Sequence, residues 1–150
     1  MATPAENLAA TFKVGKLSEL SDRLGDLVRD QGQIYNMVMD DNWKVSITQL
    51  RRLFSEFMEI ARKGAVLKDE ELSPEKLKEL KKRIVMVQPL LAYAEARDKK
   101  GENKALRTAL LPLAQETRYE SPADFRVLES LMTAFVAYQK LKESKKSGGN

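Results

Sequence analysis

The sequence of 150 residues contains no histidine and no cysteine. Without these side chains the chain cannot build a Cys/His zinc site, a Ser-His-Asp or Cys-His catalytic arrangement, a thiol redox centre or a disulfide framework. A di-iron carboxylate bundle with Glu-x-x-His ligands is excluded as well. Any catalysis would therefore have to use Asp, Glu, Lys, Tyr, Ser or Thr.

Long apolar runs and phosphate-binding loops are also missing. The longest uncharged apolar stretch, residues 84–94, has 11 residues, whereas a membrane-spanning helix needs about 20. No export signal precedes it, so we expect a cytoplasmic protein without membrane contact. The glycines form no phosphate-binding cluster, and the acidic clusters at residues 40–41 and 69–71 are typical of helix ends. We expect neither a metal nor a cofactor.

The residues that are abundant favour helices. Leu, Lys, Ala, Glu and Arg account for 75 of the 150 residues, and no long alternating pattern of apolar and polar residues occurs. Apolar residues recur at spacings of three and four over residues 17–39, 47–63, 74–98, 103–116 and 122–142. We predict an all-α protein, a compact bundle of about five helices with kinks near Pro89 and Pro112.

The predicted organisation is one domain with loose ends. We expect a flexible leader at residues 1–16, a helical-bundle domain at 17–143 and a flexible tail at 144–150. Within the first predicted helix, Gly25 and Gly32 either admit a close helical neighbour or mark a break. Gly64 stands where the second predicted helix should end.

Charge is unevenly distributed along the chain. Residues 1–43 contain 4 basic and 7 acidic side chains, a net charge of −3, whereas residues 44–150 contain 22 basic and 15 acidic side chains, a net charge of +7. A basic body with an acidic leader permits binding to a polyanion but does not establish it.

The most informative stretch is residues 44–52, at the predicted start of the second helix. Lys44, Thr48, Arg51 and Arg52 surround a helix N-terminus, where free backbone N–H groups and the helix dipole favour an anion. One interpretation is a contact with nucleic-acid phosphates. The other is an ordinary capping box, formed by Ser46 with a glutamine three residues later, beside a solvated basic face.

Two further strips carry the same ambiguity. An aromatic ring stands beside basic groups at i, i+4 and i+7, which are Tyr93, Arg97 and Lys100. Bases or ribose could stack there, or the tyrosine could lie at the edge of the core with the arginine folded over it. A second strip at heptad spacing, on the last helix, consists of Arg126, Thr133 and Lys140. Such a strip is usually a solvated face.

Three separated motifs together resemble a known family, the small subunit of type III-A CRISPR–Cas (Csm) effector complexes. The sequence SITQLRRLF at residues 46–54 is similar to that family's Thr/Ser-x-Gln-Ile/Leu-Arg signature. Residues 89–97, PLLAYAEAR, resemble its Pro-x-Leu-Ala-Tyr…Arg segment, and residues 135–140, FVAYQK, resemble its Val-Ala-Tyr-His-Lys ending. The family usually carries a histidine where this chain has Gln139.

The resemblance implies a mostly five-helix bundle without catalytic activity. It implies that several copies line up along the backbone subunit that carries the guide RNA and help to hold the guide–target RNA duplex. The backbone and large subunits of the complex are the implied protein partners. The RNA contacts implied by the matching positions are Thr48, Gln49, Arg51, Arg52, Arg97 and Lys140. The charge pattern itself adds Lys44.

Two other functions remain open from the sequence. The first is a helical protein–protein adaptor that uses its basic strips to dock acidic partners and does not touch nucleic acid. The second is a magnesium-dependent nuclease, which would need several acidic side chains in one pocket. The acidic residues stand mainly at predicted helix ends or beside basic residues, so this second alternative has little support.

Overall fold

The protein is built from α-helices that are connected by short turns and 3₁₀ segments. The computed structural model describes residues 2–97 and 103–148, apart from the side chains of residues 47, 49 and 146–148. These residues form seven α-helices and no strand: α1 Pro4–Phe12, α2 Leu24–Val28, α3 Gln33–Met39, α4 Ile47–Ala65, α5 Pro74–Arg97, α6 Lys104–Leu110 and α7 Pro122–Gly148. The 3₁₀ segments are Leu17–Arg23, Asp69–Glu71, Leu111–Ala114 and Glu116–Arg118. The all-α class is confirmed, but the predicted number of about five helices is too low.

Helices α4 and α7 make the most extensive contact in the fold. On the predicted inward face of α4, Leu50 and Phe57 are 0% exposed and Phe54 is 4% exposed. Phe54 stacks on Phe135 of α7 with the ring centroids 6.0 Å apart. Burying a side chain of this size stabilises the fold by about 1.5–3 kcal/mol. This seam therefore holds α4 and α7 of the basic body together.

Gly64 does not end α4, contrary to the prediction. The helix continues to Ala65, and Gly64 is buried where an added Cβ would lie 2.2 Å from Cγ of Phe125 on α7. Gly64 therefore permits a close approach of the two helices. The last carbonyl groups are bound by Arg126, whose guanidinium donates to Ala65 O at 3.0 Å and to Leu67 O at 2.8 Å.

The leader at residues 1–16, which we expected to be flexible, instead contains α1. Thr3 and Glu6 form a reciprocal capping box, with both hydrogen bonds at 3.1 Å. Leu8 and Phe12 are 1% and 0% exposed, and α1 packs against α3 and α6. A helix of nine residues is marginal by itself in water, so these tertiary contacts are what stabilise it.

Residues 17–39, predicted to form one helix, are divided into a 3₁₀ segment, α2 and α3. The break lies at Gln31, which has a left-handed φ of 62°, and at Gly32, where a Cβ would lie 2.5 Å from Asp26 O. Gly32 thus marks a break, one of the two roles considered for it. The apolar stripe is nevertheless buried: Leu17, Leu20, Leu27 and Ile34.

The prolines expected to kink helices differ in their effects. Helix α5 runs continuously from Pro74 through Pro89 to Arg97, so Pro89 does not interrupt it. By contrast, α6 ends at Leu110 and the chain continues as the 3₁₀ segment that contains Pro112. A proline lacks the N–H that the next helical turn would use, and here the chain changes to the tighter helix.

One apolar core joins all seven helices of the described residues. It includes α1, so the domain begins earlier than predicted, and α7 extends to Gly148, beyond the predicted boundary at residue 143. No helix in the described ranges is long and apolar enough to cross a membrane.

The contact of Gly64 with Phe125 predicts a cost for any added side chain. Gly64→Ala should lower the free energy of unfolding by about 1–3 kcal/mol, because the methyl group overpacks the seam. The matched control is Gly25→Ala in α2, where nothing lies within 4 Å of the new Cβ. This control should be neutral or up to about 1 kcal/mol stabilising. Urea unfolding followed by circular dichroism compares the two, and equal effects would contradict the assignment.

Candidate nucleic-acid interface

The first turns of α4 present predicted site residues to solvent. Lys44, Thr48, Arg51 and Arg52 are exposed, while the side chain of Gln49 lies outside the described residues. Because successive residues are about 100° apart around a helix, the two adjacent arginines project toward different sides of α4. Each arginine lines a separate groove.

The first groove, here called the α4–α5 groove, has a volume of about 320 Å³. Thr48 and Arg52 approach it from α4, and Tyr93 and Arg97 approach it from α5. Tyr93 is 62% exposed, and the Arg97 guanidinium carbon lies 5.6 Å from the centroid of its ring. Tyr93 is therefore mostly exposed and not at the core edge, whereas Arg97 lies over its ring as the same interpretation expected. Lys100, the third member of that strip, lies outside the described residues.

The second groove, the α4–α7 groove, has a volume of about 690 Å³. Arg51 of α4 and Lys140 of α7 both line it, although they are far apart in sequence. Its floor includes Phe54, Met58 and Val136. Together the two grooves place described site residues on both sides of α4.

Within the part of the chain that the structure describes, the charged groups of the predicted site have no acidic partner. Over the described part of the chain, no ion pair involves Lys44, Arg51, Arg52, Arg97 or Lys140. An exposed guanidinium without a carboxylate partner keeps its fork of N–H donors available for a phosphate.

Some cations outside the predicted site are held by carboxylates or carbonyls. Arg83 reaches from α5 to α4, where its Nη2 lies 2.8 Å from Glu56 and 3.4 Å from Glu59. The hydrogen bond to Glu56 raises the pKa of Arg83 above its ordinary value. Arg107 likewise pairs with Glu95 at 2.8 Å. These residues tie helices together.

The strip on α7 does not act as one unit. Arg126 binds the carbonyl groups at the end of α4, and the Thr133 hydroxyl donates to Glu129 O at 2.8 Å within its own helix. Lys140 is the member that faces a groove. The strip is thus partly structural, which sequence spacing could not reveal.

Gln139 replaces the histidine of the resembling family, and it lies in the interior at 1% exposure. Its Oε1 accepts from Trp43 Nε1 at 2.7 Å. Its Nε2 donates to Val45 O at 2.8 Å and to Glu143 Oε1 at 3.1 Å. The position is therefore a buried hydrogen-bond centre, and the lack of histidine does not remove a group from either groove.

Sequence reasoning missed Lys142. Its ammonium group donates to Val38 O and Asp40 O, each at 2.8 Å, and also to Trp43 O. These carbonyls belong to the end of α3 and to the connection before α4. No local pattern indicates this role, because the partners are about a hundred positions away along the chain.

The acidic clusters form no metal centre within the described residues, where no group of three or more acidic side chains could hold an ion. Asp40 instead closes a turn by accepting from Asn42 N at 2.8 Å. This agrees with the interpretation of the acidic clusters as features of helix ends.

Comparison with protein families tests the resemblance to the type III-A small subunit. The profile of the family described as Csm2 Type III-A matches residues 22–145. The chain belongs to the Csm2 Type III-A family. Comparison with curated proteins and with solved structures finds no match.

Membership in the Csm2 family confirms the resemblance that the three motifs indicate, and makes the chain a small subunit of the type III-A Csm complex. The matched region includes both grooves of the described structure and omits α1. The chemistry of the grooves is therefore carried by the part of the chain that defines the family.

The structural role of Arg126 is testable. Arg126→Leu should lower the free energy of unfolding by about 1–2 kcal/mol, because the carbonyl groups of Ala65 and Leu67 lose a charged donor. Arg23→Leu is the control, since Arg23 is exposed and has no partner within the described ranges; it should change stability by less than about 0.5 kcal/mol. Thermal unfolding compares them, and an unchanged Arg126 variant would refute the assignment.

Proposed function

We propose that this Csm2-family chain is a non-catalytic RNA-binding subunit that contacts the backbone of the guide–target RNA duplex without sequence specificity. The observation that supports this function is the set of cations, in the two grooves beside the start of α4, that have no ion-pair partner among the described residues. They are Arg51 and Lys140 on one side and Arg52 and Arg97 on the other. Lys44, exposed just before the helix, extends the set.

The side chains suit phosphate and sugar. A guanidinium binds two phosphate oxygens with parallel hydrogen bonds, and Thr48 adds a hydroxyl beside Arg52. The exposed ring of Tyr93, covered by Arg97, offers a surface on which a base or ribose can stack. Gln49 remains part of the proposed interface, although its side chain lies outside the described residues.

Contacts of this kind fit a subunit that must accept any guide sequence, since phosphate contacts carry no sequence information. A single chain offers few of them, so its binding should be weak and sensitive to salt. Several copies along one duplex, assembled with the backbone and large subunits, would add avidity without new chemistry. We place this complex in the cytoplasm.

The interface predicts a loss of RNA binding without a loss of fold. Replacing Arg51, Arg52 and Arg97 with Ala should weaken binding of duplex RNA of arbitrary sequence by at least about tenfold. The slope of log K against log salt should fall by about one for each phosphate contact removed. The assembled complex and the isolated chain can both be titrated, with circular dichroism as the check on folding.

A charge-matched control distinguishes the grooves from net charge. Replacing Arg23, Lys76 and Lys78 with Ala removes the same formal charge from exposed positions outside the two grooves. This variant should bind nearly as well as the unaltered protein. Equal losses in the two triple variants would reject the grooves as the interface. Failure of the unaltered chain to bind RNA even at low salt would favour the adaptor function.

A further inference from the structure

The connection between α3 and α4, residues 40–46, is fastened to α7 from the inside. Trp43 and Val45 are each 2% exposed, and both hydrogen-bond to Gln139, the indole through its N–H and the valine through its carbonyl. Lys44, between these two buried residues, is exposed. The fastening therefore determines where Lys44 emerges.

Few uncharged side chains other than an amide can form both of these hydrogen bonds, to the Trp43 indole and to the Val45 carbonyl. The indole is a donor only and the peptide carbonyl an acceptor only, so the partner must accept and donate at once. A buried N–H or C=O left without a partner costs about 1–3 kcal/mol. Gln139, at 1% exposure, meets both demands and donates to Glu143 as well.

The same amide lies next to a proposed RNA-binding residue. Lys140 follows Gln139 on α7 and is exposed in the α4–α7 groove, while Gln139 points inward. Lys142 fastens the same connection through Asp40 O and Trp43 O. One turn of α7 thus presents Lys140 to solvent and, on its inner side, holds the connection that carries Lys44 and leads into α4.

We propose that Gln139 is a positioning residue for the RNA interface. It holds Lys44 and the first turn of α4 in register with Lys140, so that these groups face the duplex without reordering when RNA binds. Pre-organisation of this kind raises affinity by lowering the cost of ordering on binding. The role in binding rests on the proposed function, whereas the fastening itself does not.

The chain provides a direct probe of this fastening, because Trp43 is its single tryptophan. The indole N–H therefore gives one signal in a nitrogen–proton NMR spectrum. In the unaltered protein this proton should exchange slowly with solvent. In Gln139→Leu it should shift and exchange at least about tenfold faster, because its acceptor is gone.

A matched control separates positioning from a general loss of stability. Gln88 also donates to a backbone carbonyl, Ala114 O at 2.8 Å, but it lies on α5 outside both grooves. Gln88→Leu should leave the indole signal and RNA affinity unchanged. Gln139→Leu, measured where circular dichroism shows it folded, should bind duplex RNA about three- to tenfold more weakly.

A double-mutant cycle tests whether Gln139 acts through Lys44. In a Lys44→Gln background, Gln139→Leu should weaken binding by a smaller factor than it does alone, since one of the groups that it positions is already absent. If Gln139→Leu does not fold, Gln139→His replaces it. Measured above the ordinary pKa of histidine, the neutral imidazole can accept from Trp43 and donate to Val45, so it should preserve both the indole signal and RNA affinity.

The outcomes separate the two proposals. Unaltered protein that does not bind RNA rejects the proposed function, and the NMR signal still reports on the fastening. If the unaltered protein binds RNA, equal binding by Gln139→Leu overturns the positioning role alone. Full additivity with Lys44→Gln overturns it as well. If Gln139→His is used, a loss of RNA affinity despite a preserved indole signal also overturns the positioning role.

Discussion

The packing of α4 against α7 is the contact on which the other features depend. Its close approach requires Gly64, since any side chain there would collide with Phe125, and Phe54 stacks on Phe135 elsewhere along the contact. Helix α4 carries Arg51 and Arg52, and α7 carries Lys140. A change in this seam would therefore move the cations of one helix relative to the other.

Hydrogen bonds at both ends of α7 fix neighbouring segments to this helix, in addition to the apolar packing. Near its start, the buried carboxylate of Asp124 accepts from Ser18 N at 2.7 Å, which fixes the first 3₁₀ segment to the helix. Toward its end, Gln139 and Lys142 fasten the connection before α4. Apolar contact is not directional, whereas these hydrogen bonds specify the register of each segment.

Much of the fold could be predicted because helical periodicity is a local property. Helix α5 begins at Pro74, where the helical spacing predicted it, with Ser73 accepting from Lys76 N as its cap. Apolar residues of α4 that recur at helical spacing, such as Leu50 and Phe57, are buried. The failures lie where local patterns conflict with packing. The stripe from Leu17 to Ile34 is buried as predicted, yet the chain turns at Gln31, and α1 is a helix because other helices cover its apolar face.

The sequence by itself determined the all-α class, the exclusion of histidine and cysteine chemistry, the exposed basic start of α4 and the family. Only the tertiary structure decided which of the described cations are held by other residues. Arg83 pairs with Glu56, 27 positions away, Arg126 binds carbonyl groups of α4, and Arg51 comes to share a groove with Lys140. Spacing along a helix tells which residues share its face, but the partner of a charge depends on which helix lies opposite, and that is set by packing.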